Sequence, residues 1–146
     1  MGGPSTGKPR FQRPRARVLV ADDFAPARLL VAHVLALADG AFEVVGMVGS
    51  ADAVAERAAR EPIDVDVLDY ALPGGGDRAA RALRERHPDV IVVGLSTVAE
   101  GDRDAAAAML EAGATYTLAK GTPVPELIAA FEDAYLRWRQ VRAPTS

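Results

Sequence analysis

A short β-branched run followed by an Ala-rich amphipathic run occurs five times in this chain. No other feature narrows its possible folds as much. The strand-like runs are 17–21, 42–48, 64–68, 90–95 and 114–119, and the helix-like runs are 26–38, 51–60, 77–86, 102–112 and 124–139. Strands that alternate with helices pair in parallel, because each crossover returns the chain to the same end of the sheet, and the helices then cover both faces. The period is about 25 residues with no repeated motif, which indicates one α/β domain and not a solenoid. Local punctuation agrees. Pro26 suits a first helical turn, Asp39-Gly40 and Ala112-Gly113 look like helix stops, and Pro88 ends the third helix by disfavouring the α conformation at His87. Asp77 and Asp102 are candidate N-caps, and Pro123 and Pro125 open the last helix. Along that helix Leu127, Ile128, Phe131, Tyr135 and Trp138 recur at helical spacing, a stripe read as core packing.

Composition excludes several classes. With 146 residues, 49% apolar and 25% charged, the chain is sized and mixed for one globular domain. There is no cysteine, so neither a disulfide framework nor a thiolate metal site exists. His33 and His87 are the only histidines and are read as surface or helix-face residues. No apolar run reaches the roughly 18 residues of a membrane span, and the N-terminus has no signal-peptide core. A cytoplasmic location is therefore expected. Residues 1–17 carry Lys8, Arg10, Arg13, Arg15 and Arg17 and no acid, which leaves −8 on the rest of a chain whose net charge is −3. A basic arm can touch nucleic acid or anionic lipid, but its Pro and Gly content reads as a disordered leader. The expected division is a leader over 1–14, one domain over 15–140 and a flexible tail over 141–146. No nucleic acid or membrane binding by the chain is expected.

The chemistry lies where the apolar runs stop. In an open parallel sheet, ligands bind at the carboxyl ends of the strands. Here "VLVADD" ends in Asp22 and Asp23, "VDVLD" in Asp69, "IVVGLS" in Ser96 and "YTLAK" in Lys120. If these ends lie side by side, three carboxylates, a hydroxyl and an ammonium converge. Two like charges about 4 Å apart repel by roughly 4 kcal/mol at an effective dielectric near 20. A hard divalent cation would offset that, and Mg²⁺ suits a site with few protein ligands and several waters. Lys120 and Ser96 are suited to phosphoryl oxygens. The following "PGGG" leaves room for a phosphoryl group near the backbone. An aspartate placed here could attack phosphorus and form an acyl phosphate.

This constellation resembles the receiver domain of two-component response regulators, over about residues 15–139. The combination carries the resemblance: an Asp pair ending the first strand, "LD-x-x-L-P-G" at the third, Ser at the fourth and Lys at the fifth. "FEVVGMVGSADAVAERAAREPIDVDVLD" and "GATYTLAK" look most like receivers often joined to helix-turn-helix output domains. The resemblance implies a doubly wound, flavodoxin-like sheet of five parallel strands in the order 2-1-3-4-5, flanked by five helices. It implies Asp69 as phosphoacceptor, Asp23 as a direct Mg²⁺ ligand, Asp22 as a more indirect one, and the main-chain carbonyl of Ala71 as another. Ser96 and Lys120 would bind phosphoryl oxygens. The donor would be a phosphohistidine on a sensor histidine kinase or phosphotransfer protein. Phosphorylation would alter the face formed by the fourth helix, fifth strand and fifth helix, and a homodimer through the last helices is open. No helix-turn-helix follows residue 139, so the chain reads either as a stand-alone receiver or as one whose transcriptional output lies on a domain outside it. Slow self-dephosphorylation would be the only catalysis, and Ala71 and Val98 flank the presumed site where water would enter.

Three positions depart from the receiver pattern. Thr117 stands where receivers usually carry Tyr or Phe, and neighbouring Tyr116 should face the other way. Lys120-Gly121 replaces Lys-Pro. Asp66 occupies an apolar strand position and shares a face with Asp64 and Leu68, away from Asp69. A buried carboxylate there must be hydrogen-bonded, protonated or near a cation. Two other readings stand beside the receiver. One is a receiver-fold interaction module that signals without phosphate, motivated by Thr117 and Asp66. The other is a small phosphatase, motivated by the D-x-D of "DVDVL", a fragment of the haloacid-dehalogenase signature.

Overall fold

The computed structural model describes residues 14–96 and 103–142; the earlier leader, Val98, Asp102 and the tail from 143 lie outside the described residues. The elements follow in strict alternation. They are β1 (Ala16–Ala21), α1 (Ala25–Ala36), β2 (Phe42–Val48), α2 (Ala51–Arg60), β3 (Val65–Asp69), α3 (Gly76–Arg86), β4 (Ile91–Ser96), α4 (Arg103–Glu111), β5 (Tyr116–Ala119) and α5 (Val124–Arg142). The strands form one sheet in the order β2-β1-β3-β4-β5, every pair parallel, which is the expected doubly wound arrangement.

Side-chain alternation along the strands sorts the apolar residues into two layers. Val18, Val20, Val65, Val67 and Val93 pack under α1 and α5, against Val34, Leu35, Phe131 and Trp138. Leu19, Leu68 and Val92 pack under α2, α3 and α4, against Val54, Leu83 and Met109. The last helix behaves as its spacing predicts, with Leu127, Phe131, Tyr135 and Trp138 buried and Ile128 partly so. Truncating the fully buried Phe131 to alanine would cost about 3–5 kcal/mol.

Some boundaries differ from the sequence reading. β3 and β4 each extend one residue further, to Asp69 and Ser96, because parallel pairing continues to the rim. The N-cap of α3 is Gly75, not Asp77; Asp77 sits inside the first turn, and its carboxylate accepts the Arg78 N–H at 2.9 Å. There it still favours the helix through the dipole. α5 runs to Arg142, past the expected end and into the presumed tail. The Arg142 guanidinium lies 4.9 Å from the centre of the Trp138 ring, which gives the final turn a cation–π contact. Among the described residues, no helix is long and apolar enough to cross a membrane.

Candidate functional site

Strand register decides which polar groups meet. Ala21 of β1 pairs with Leu68 of β3, so Asp22 and Asp69 lie abreast one residue later. Leu95 pairs with Asp69, and Ser96 with Ala119. Backbone bonds seal the rim: Tyr70 N–H donates to Leu95 O at 2.7 Å, and Lys120 N–H to Ser96 O at 2.9 Å. One carboxylate oxygen from each of Asp22, Asp23 and Asp69 falls within a cluster no wider than 4.8 Å. Asp22 and Asp69 are buried, and Asp23 is exposed. The Lys120 ammonium is 2.5 Å from Asp22 Oδ2 and 3.3 Å from Asp69 Oδ2.

Asp22 and Asp69 each divide their oxygens between backbone and ammonium. Asp22 Oδ1 accepts the Phe24 N–H at 2.9 Å, and Asp69 Oδ1 accepts the Ala71 N–H at 3.1 Å. Asp22 is therefore not the cap of α1, whose N-cap is Phe24. Burial by itself would pull the Lys120 ammonium down. Its hydrogen bond to Asp22 and the charges of Asp69 and Asp22 outweigh that and raise it above the ordinary lysine value. One ammonium does not balance three carboxylates. Three hard oxygen donors this close, one of them open to solvent, fit a small divalent cation that retains several waters.

The loop after β3 is shaped by glycine. Gly75 has φ 99, a left-handed conformation that favours glycine. A Cβ on Gly76 would fall 2.7 Å from Asp69 O, Tyr70 Cα and Tyr70 O. The loop is clasped to α2 by Ala51 N–H donating to Pro73 O at 2.8 Å, and by an Arg78–Asp52 ion pair at 2.7 Å. A residue that sequence reasoning missed is Arg28, whose guanidinium donates to Asp22 O at 2.6 Å and so pins the β1–α1 turn. Its only sequence signal was a cation shortly after Pro26.

Other singled-out residues lie elsewhere. Tyr116 packs with the α5 layer, its hydroxyl donates to the Asp133 carboxylate, and the Arg137 guanidinium lies 5.4 Å from its ring centre. Burial, then the hydrogen bond and charge of Asp133, push its phenol up to about 12. Thr117, paired with Gly94, takes the opposite face, as alternation requires. In the loop after Lys120, Thr122 N–H donates to Ala119 O at 3.0 Å and closes a turn. His33 is exposed; half-buried His87 sets its Nε2 2.9 Å from Ala58 O. The D-x-D pair is not at the rim. Asp64 accepts the Arg17 N–H at 2.8 Å just before β3 begins, and Asp66 is fully buried under the α2–α4 layer.

Comparison with known proteins follows the same lines. Residues 18–132 match the family described as the response regulator receiver domain. The chain is 35% identical over 126 residues to response regulator GacA of Pseudomonas viridiflava, covering 86% of this chain and 58% of that one. It is 39% identical to a protein-glutamate methylesterase/protein-glutamine glutaminase of Anaeromyxobacter dehalogenans over 71% of this chain, but over only 28% of that enzyme. The chain thus spans at most about three fifths of these curated relatives. Among solved structures, the signal receiver domain of NarL from Mycobacterium tuberculosis superposes with a TM-score of 0.75 at 30% identity, covering 85% of this chain and 98% of that one.

Proposed function

The chain belongs to the response regulator receiver domain family of two-component signalling, and from that premise we propose that Asp69 accepts a phosphoryl group from a sensor histidine kinase or phosphotransfer protein. The observation that carries this reading is the Asp22–Lys120–Asp69 cluster with Asp23 at its open edge. A carboxylate oxygen of Asp69 attacks phosphorus while the P–N bond of the donor phosphohistidine breaks. The nitrogen keeps the bonding pair and leaves as imidazole, and an acyl phosphate remains. Lys120, already charged and placed between two carboxylates, receives the incoming phosphoryl oxygens, and Ser96 donates a hydrogen bond to one of them. Asp22, Asp23, Asp69 and the Ala71 carbonyl would hold Mg²⁺, which would supply positive charge to offset that on the transferring group.

The consequence is a shift in affinity on the α4–β5–α5 face for a partner or a second copy, with transcription as the output through a domain outside this chain. Leu136 and Val141 on α5 stand exposed, which supports a homodimer through the last helices. The test is mass spectrometry after treatment with acetyl phosphate and Mg²⁺, with the modified residue mapped. One phosphoryl mass on Asp69 is expected, and stoichiometric labelling of Asp69→Asn would overturn the assignment.

One observation favours a second reading, a receiver-fold module that signals without phosphate. Tyr116 is tied to Asp133 on the α5 side, and Thr117 offers no ring on the other. If partner affinity is identical for wild type, phosphorylated protein and Asp69→Asn, that reading replaces the first. The phosphatase alternative loses its motif, because Asp64 and Asp66 lie away from the rim.

A further inference from the structure

We propose that Asp66 is a proton-binding group of the folded core, carried as the neutral carboxylic acid, so that the chain takes up a proton when it folds at neutral pH. Asp66 is 0% exposed, and neither carboxylate oxygen has a hydrogen-bond partner among the described residues. Its cross-strand neighbours are Leu19 on β1 and Val92 on β4. The residues that cover this face from α2, α3 and α4 include Val54, Ala58, Ala80, Leu83 and Met109, none of them titratable.

The charged groups at the margin of that layer are committed elsewhere. On β1, Arg17 pairs with Glu61 at 2.8 Å. On β3, Asp64 accepts the Arg17 N–H. On α2, Arg57 pairs with Glu61 at 2.9 Å and donates to Val45 O. From α3, Arg84 donates to Gly113 O and Pro88 O, and the His87 ring bonds Ala58 O. On α4, Glu111 is exposed. Among the described residues, burial is thus the one influence on the Asp66 carboxyl, and it acts upward.

Keeping an ordinary aspartic acid protonated at pH 7 works against a population ratio of about a thousandfold. The alternative, a fully buried anion with no protein donor among the described residues, is costlier still. The linkage has a definite sign. A folded-state value raised above the unfolded one gives stability that is complete below the ordinary aspartate range. That stability is lost as pH rises toward the folded value, by about tenfold in the folded-to-unfolded ratio per pH unit.

The test is denaturant unfolding of the intact chain between about pH 5 and pH 8, comparing wild type with Asp66→Val and Asp66→Asn. The wild-type equilibrium constant should fall about tenfold per pH unit more steeply than that of either variant, and Asp66→Val should be the more stable protein at the upper end. Parallel pH profiles would overturn the proposal. Carbon-13 NMR of the wild-type side-chain carboxyl tests it without a variant: the Asp66 signal should remain that of the protonated acid across this range. A signal titrating at the ordinary aspartate value would equally overturn it.

Discussion

Asp66 and Asp69 belong to the same five-residue strand, share one chemistry and are both buried, yet the fold treats them in opposite ways. Asp69 ends β3, where the chain turns, an ammonium stands 3.3 Å from one oxygen and a backbone N–H bonds the other. Asp66 is the second residue of the strand, paired on both sides by Leu19 and Val92, on the other face, with no donor among the described residues. A strand end in a parallel sheet offers free backbone N–H groups and the side chains of neighbouring strand ends. A strand interior offers only apolar neighbours, since its backbone donors are used by the ladder. Burial alone therefore says little about a carboxylate; position along the strand decides whether burial activates it or neutralises it.

Phosphodonor labelling should break the pair apart most completely. Asp69→Asn should show no added phosphoryl mass, whereas Asp66→Asn should label like wild type; equal loss in both would erase the distinction. Next comes Lys120→Met, which leaves three clustered carboxylates without their cation. Labelling should slow at least about 100-fold in a stopped time course. In Mg²⁺-free buffer the protein should lose about 2 kcal/mol by urea unfolding. That is less than for a fully enclosed pair, because the Lys120 side chain keeps 21% of its surface exposed. Added Mg²⁺ should recover much of that loss. The raised lysine value also sets a pH expectation: its contribution holds below the ordinary lysine value and is lost only as pH climbs through the higher folded one. Wild-type stability relative to Lys120→Met should therefore be constant through neutral pH and fall only in strong alkali.

Smaller effects sharpen the comparison. Gly76→Ala drives a methyl against the backbone of Asp69 and Tyr70, so it should cost about 1–3 kcal/mol and slow labelling, while the interior of β3 at Asp66 stays in place. Tyr116→Phe removes a hydroxyl bonded to a surface carboxylate and should change stability by less than about 1 kcal/mol. If it alters labelling as strongly as Lys120→Met does, Tyr116 is coupled to the rim across the sheet, and the separation of faces drawn here fails.

Much of this was legible in the chain. The alternation of runs prescribed parallel strands and two helical layers, and the polar residues closing "VLVADD", "VDVLD", "IVVGLS" and "YTLAK" marked the rim, because strand ends in such sheets face one way. The opposed directions of Tyr116 and Thr117 also followed from the two-residue period of a strand. Less legible were Arg28 at the β1–α1 turn, Gly75 as the cap of α3 and the extra turn of α5 on Trp138. Each depends on how close two segments come, and composition and periodicity carry no distances.

The sequence by itself determined the order of elements, the faces of the strands and the set of acids, hydroxyl and ammonium available at one edge, since all of these follow from local periodicity and chain direction. Only the tertiary structure decided that Lys120 lies nearer Asp22 than Asp69, that Asp23 stays open to solvent, and that Asp66 is left without a partner among the described residues. Charge state and pairing depend on separations of a few ångströms between residues far apart in the chain, and those separations arise only when the two layers close over the sheet.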